Sequence, residues 1–162
     1  MKKGQSYASF EPQSVTPERE RTSMSTDNKA IVRRYYEDMW NRWDLAVADE
    51  IIAADVTFRG SLAVTVRRRE GFKEYVNLVR SAFPDFHNAV ETLIAEDDKV
   101  VARLTYRGTH EGELFGIAPT GKRVTYAGCA IFTLAGGQVV DGWVLGDTLG
   151  MMRQLGAVPE PA

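Results

Sequence analysis

Apolar residues recur at helical spacing in the first half of the chain and alternate with period two in the second half. Ile31, Val32, Tyr35, Tyr36, Met39, Trp40 and Trp43 form one stripe, with Arg33, Arg34, Glu37 and Asp38 opposite. This predicts a helix from an N-cap at Thr26 or Asp27 to about Trp43. Asp44 then caps a short helix carrying Leu45, Val47, Ala48, Ile51 and Ile52. Val56, Thr57 and Phe58 read as a brief strand. A third helix, about Glu70 to Ala82, aligns Phe72, Tyr75, Val76, Val79 and Phe83 and stops at Pro84. Strands follow at about 86–95, 99–109, 123–134 and 138–145, with tight turns at Glu96-Asp97-Asp98 and Ala135-Gly136-Gly137. The longer connection, Glu111 to Lys122, reads as a structured loop, and Leu149 to Leu155 as a closing helix. Helices followed by an antiparallel meander give an α+β class, with helices on one face of a curved sheet.

A length of 162 residues predicts one domain with a core large enough to need no staples. Residues 1–24 hold almost no aliphatic side chains and are expected to form a disordered tail, leaving a domain over 25–158 and a short tail over 159–162. The first residues lack the apolar stretch of a secretory signal, and Met24 is compatible with a second start. A net charge of −2 gives no electrostatic footprint for nucleic acid or an anionic membrane, and no apolar run is long enough to span a bilayer. A cytoplasmic protein is the expectation. One cysteine, Cys129, and two histidines, His87 and His110, cannot build a zinc cage, so no metal is expected. Cys129 reads as a buried strand residue, and His87 and Asp85 as solvent-facing and turn residues. Arg67-Arg68-Arg69 is a solvated cluster.

In the last strand, alternation groups Asp141, Trp143, Leu145 and Asp147 on one side and Val140, Gly142, Val144 and Gly146 on the other. A carboxylate at the strand end beside a tryptophan suits general acid/base work if the site is dry. Asp147 is equally placed to cap the closing helix. His110, at the exit of the second long strand, can polarise a carbonyl or pin the loop that follows.

The tyrosine-rich first helix, Ala82-Phe83-Pro84-Asp85, Gly108-Thr109-His110-Glu111-Gly112-Glu113, Gly116-Ile117-Ala118-Pro119-Thr120-Gly121 and Trp143-Val144-Leu145-Gly146-Asp147 with Leu149 to Gly156 together resemble the SnoaL-like polyketide cyclase (ester cyclase) family. That family belongs to the nuclear transport factor two-like superfamily, and the likeness spans about Asp27 to Gly156. The resemblance implies a cone-shaped fold around an apolar pocket and a cofactor-free intramolecular aldol ring closure on a carbonyl-bearing, polyketide-like molecule. It places Asp147 as the acid/base, with Asp141 as the alternative carboxylate and His110 orienting or polarising. Trp143, Leu145, Tyr35, Phe115 and Tyr126 are the expected pocket wall. Other readings are a cofactor-independent oxygenase or epoxide hydrolase of the same fold, and a non-catalytic ligand-binding or dimerisation domain.

Several strands carry apolar residues on both faces, among them Val100 and Val101, Val139 and Val140, and Val144 and Leu145. Helices cover one face only, so a homodimer is expected to cover the face of Val101, Thr105 and Thr109 or its opposite.

Overall fold

The computed structural model describes residues 18–159. Helix α1 (Glu18–Arg34) runs into a π-helical turn, Tyr35–Trp40, and is followed by α2 (Ala46–Ile51). Strands β1 (Ile52–Arg59) and β2 (Thr65–Arg67) form a hairpin that leads into α3 (Arg68–Ala82). The meander consists of β3 (His87–Glu96), β4 (Lys99–Thr109), β5 (Arg123–Ala135) and β6 (Gln138–Gly146), and α4 (Thr148–Leu155) closes the chain. All six strands belong to one sheet in the order β2-β1-β6-β5-β4-β3. The four meander strands are antiparallel as expected, and β1 joins β6 in parallel. Irregularities at Val90/Thr92, Thr133/Leu134 and Ile52/Thr57 interrupt the ladders. Such bulges bend a strand and raise its twist, which lets the open sheet curve over the helices.

The first helix starts well before the expected caps. Thr26 and Asp27 lie inside α1, and the Thr26 hydroxyl donates to the Thr22 carbonyl. No glycine or proline interrupts the sequence from Glu18 to Trp43. The expected tail is therefore helical from Glu18, and residues 1–17 lie outside the described part. The first strand is longer than expected, taking Ile52 from the second helix, and β2 was not expected at all. Asp44 does serve the start of α2, accepting from the Ala46 amide at 3.1 Å.

One core holds both layers together. Tyr35, Tyr36, Met39 and Trp40 from the π-helical turn meet Phe72, Tyr75 and Val76 of α3 and Phe132 of β5. Asn41 clamps the backbone of Asn88, donating to its carbonyl at 2.9 Å and accepting from its amide at 2.8 Å. The end of the helical segment is thereby fixed to the start of β3. Gly136 and Gly137 both have positive φ, as the two-residue β5–β6 turn requires.

Candidate functional site

A cavity of about 30 Å³ lies between the sheet and the helices. Tyr35, Tyr36 and Trp40 enter from the π-helical turn, Tyr75 and Val79 from α3, Tyr106 from β4, Tyr126 from β5 and Val144 from β6. Asn88 is the polar contribution of β3. Ser61 and Leu62, in the β1–β2 connection, are the lining residues that are only half-buried, so they mark the mouth.

Glycines make room for the phenols. A side chain at Gly128 would overlap the ring of Tyr106, one at Gly60 that of Tyr75, and one at Gly146 would press on Tyr126 and Ser61. Tyr106 and Tyr126 stand 5.1 Å apart between centroids, and Phe86 stacks on Tyr106 at 5.7 Å.

Burial pushes the hydroxyl groups of Tyr35, Tyr36, Tyr75, Tyr106 and Tyr126 above the ordinary tyrosine value, because a phenolate there would lose its hydration. The cavity therefore presents neutral O–H donors. The Tyr36 hydroxyl is buried and has no hydrogen-bond partner among the described residues. A buried polar group left unpaired costs about 1–3 kcal/mol, which a bound acceptor would recover. Among the described residues no carboxylate and no imidazole lines the cavity.

Two of the expected wall residues, Tyr35 and Tyr126, line the cavity. The others do not. Trp143 and Leu145 project from the opposite face of β6, 38% and 52% exposed, and Asp141 shares their face. The inward positions on β6 are Gly142 and Val144, with Gly146 against Tyr126. Phe58 fills the space above Gly142. Glycine carries no hydrophobic signal, so the tryptophan and leucine marked the wrong face. Phe115 sits exposed in the loop after β4 at positive φ. Cys129 is only half-buried, on the outer face between Arg103 and Leu145.

Asp147 is exposed, and its side chain accepts from the Gly150 amide at 2.8 Å as the N-cap of α4. It does not line the cavity. Replacing Asp147 by Ala should cost about 1 kcal/mol of unfolding free energy, while Asn should retain most of it. Equal losses in urea melts of the two variants would contradict the capping role.

His110 is fully buried, with its ring 5.3 Å from that of Phe83. Its Nδ1 accepts from the Thr120 amide at 3.2 Å and lies 3.1 Å from the Thr120 hydroxyl. Nδ1 as acceptor puts the proton of the neutral ring on Nε2, which has no partner among the described residues. Desolvation lowers its pKa from the ordinary histidine value. Phe83 belongs to the cavity wall and His110 does not, so the imidazole pins the loop from behind that wall. His87 is solvent-facing as expected, and Asp85 in its turn accepts from the Thr109 amide and hydroxyl at 2.6 and 2.7 Å.

Among the described residues no group of three His, Cys, Asp or Glu side chains is placed to hold a metal, and no helix is long and apolar enough to cross a membrane.

The sequence profile of the SnoaL-like polyketide cyclase family matches residues 30–155. No curated protein sequence matches the chain. Solved structures do. AclR from Streptomyces galilaeus, a candidate hydroxylase, is 28% identical with a TM-score of 0.74, over 85% of this chain and 86% of its own. A candidate SnoaL-like polyketide cyclase from Jannaschia sp. CCS1 is 25% identical with a TM-score of 0.78, over 91% and 100%. IdmH from Streptomyces antibioticus, a candidate polyketide cyclase, is 27% identical with a TM-score of 0.71, over 80% and 98%.

Proposed function

The chain belongs to the SnoaL-like polyketide cyclase family, and from that premise we propose that its cavity binds an apolar, planar, carbonyl-bearing small molecule and promotes an aldol-type ring closure within it. The observation that carries this reading is the buried, unpartnered Tyr36 hydroxyl in a wall of aromatic rings. In such a closure an enol carbon of the substrate attacks one of its own carbonyls, forming a carbon–carbon bond while negative charge develops on the carbonyl oxygen. A fixed O–H donor in a water-poor site stabilises that charge without reorganising. Because neither carboxylate nor imidazole among the described residues lines the cavity, the substrate's own conjugation supplies the enol, and as the carbon–carbon bond forms the enol O–H proton passes, directly or through a water, to the carbonyl oxygen that becomes the new hydroxyl.

The cavity as it stands has room for two or three waters, by the rule of about 10–15 Å³ for each. A polycyclic molecule therefore needs the rings to part, and Ser61 with Leu62 gives the way in. Calorimetric titration with conjugated aromatic ketones tests this. Tyr36→Phe should melt no lower than the parent, since it removes an unpaired buried hydroxyl, yet bind the ketone about three- to tenfold more weakly. Unchanged affinity would overturn the assignment of Tyr36, and no binding by any member of the panel would overturn the reading as a whole.

The same absence of an acid or base favours a second reading, in which the domain binds this class of molecule without turning it over. Following ring closure of a ligand found in the titration separates the two.

A homodimer through the outer face of the sheet accompanies either reading. Ile94 faces Val101, Val101 faces Ile131 and Ile131 faces Trp143 across four successive strands, with Leu145 beside them. Ile94, Ile131, Trp143 and Leu145 are all exposed in the single chain, and a contiguous apolar stripe of that kind marks an association surface. In sedimentation the protein should run at twice the 18.1 kDa chain mass, and Ile131→Glu at that mass itself. A parent protein sedimenting as single chains would reject the dimer.

A further inference from the structure

We propose that the outer face of the sheet carries a second site, formed by Arg107, Arg123 and His87, that binds a small oxyanion such as a phosphate group. It is independent of the cavity and of any reaction there. His87 of β3 lies directly opposite Arg107 of β4. Arg123 of β5 lies opposite Thr109, which puts it diagonal to Arg107 on the same face. Direct cross-strand neighbours are about 5 Å apart at Cβ and diagonal ones about 7–8 Å at most, so three cationic or titratable groups converge. Side chains of like charge at that spacing are unfavourable unless something neutralises them.

The surrounding residues neutralise the site only in part. Among the described residues neither arginine lies within an ion-pair distance of a carboxylate, and neither guanidinium makes a side-chain hydrogen bond. The pocket holds one carboxylate, Asp85, which accepts from the Thr109 amide and hydroxyl and is attracted by the Arg123 guanidinium, so one negative charge stands against two arginines. Glu91, further along β3, is engaged by the Thr105 hydroxyl at 2.9 Å.

Shape agrees with charge. Asp85, His87, Arg107, Gly108 and Arg123 enclose an open pocket of about 230 Å³. Drug-sized ligands occupy about 300–1,000 Å³, so this volume suits an anion of a few atoms. Two guanidinium forks offer paired N–H donors to the oxygens of a phosphate, the geometry in which arginine surpasses lysine. The site also backs onto the cavity through a single layer of sheet, since Phe86, Asn88 and Tyr106 line the cavity while Asp85, His87 and Arg107 alternate with them outward.

The test is calorimetric titration of the full chain with inorganic phosphate, ionic strength being held constant with sodium chloride. Saturable binding is expected. Arg107→Ser and Arg123→Ser should each weaken it about tenfold or more, as loss of charge-assisted hydrogen bonds does, with unchanged melting temperatures. Arg103→Ser removes one positive charge from the same face outside the pocket and should alter affinity by no more than about twofold. Absence of saturable binding to the parent protein overturns the proposal. So does an Arg103→Ser variant that loses as much as the other two, because the effect would then be general surface charge. Failure of the ketone titration would leave this result standing, and the reverse also holds.

Discussion

Gly112→Ala is expected to lose about 3 kcal/mol or more of stability. A Cβ at Gly112 would run into the carbonyl oxygen of Ser81, with the Ala82 Cα immediately behind. Both are backbone atoms in the last turn of α3, and the Glu111 and Gly112 amides donate to the Ala82 carbonyl at 3.0 and 3.1 Å. The new methyl can be accommodated only by breaking those bonds or unwinding the helix end. Urea unfolding measures the loss, and a variant within about 1 kcal/mol of the parent would show that the crossing is looser than described. The Gly108–Glu113 motif acquires a physical meaning from this contact. His110 anchors the loop through Thr120, and Gly112 lets the chain pass against α3, so the motif shapes the cavity wall at Phe83 from behind.

Phe132→Ala should destabilise the domain by about 3–5 kcal/mol, the range for truncating a fully buried phenylalanine. Its ring lies 4.9 Å from that of Tyr35 and 6.0 Å from that of Tyr36, so the cost falls where the sheet meets the π-helical turn. The void would be continuous with the wall of the cavity. The surviving folded protein is expected to accept bulkier ketones than the parent while melting well below it. A melting temperature unchanged by the truncation would mean that Tyr35 and Tyr36 collapse into the gap.

The meander was legible because its strands alternate cleanly and its turns are short. On β4, the outward set of Val101, Thr105 and Thr109 emerges as one of the two parities proposed. Tyr35 was legible as an inward residue because Arg33, Arg34, Glu37 and Asp38 mark the other side of its helical stripe. The β6 assignment failed because its inward face consists largely of glycine, and rings from β1 and β5 occupy the vacated space. Hydrophobic patterning registers the side chains a strand carries, and it is silent about rings that other elements place there. Helix α1 was cut short for the opposite reason. From Glu18 to Arg34 only Val32 is buried, so a polar surface helix gave no stripe to follow. Strand β2 has three residues and no buried one, which leaves nothing for periodicity to detect.

The wide turn at Tyr35–Trp40 has a consequence for how the sequence tolerates change. A π-helical turn holds one more residue than an α-helical one, and here that residue lets two consecutive tyrosines both turn inward. Deleting any one position within it would permit an uninterrupted α-helix with better hydrogen bonds. Because the wide turn already absorbs the extra residue, the segments before and after the deletion would keep their phase, and Val32 would still face the core. What would be lost is the bulge itself, and with it the room for two consecutive tyrosines to face inward. The length of this turn therefore governs the lining of the cavity and leaves the direction of the preceding helix unchanged.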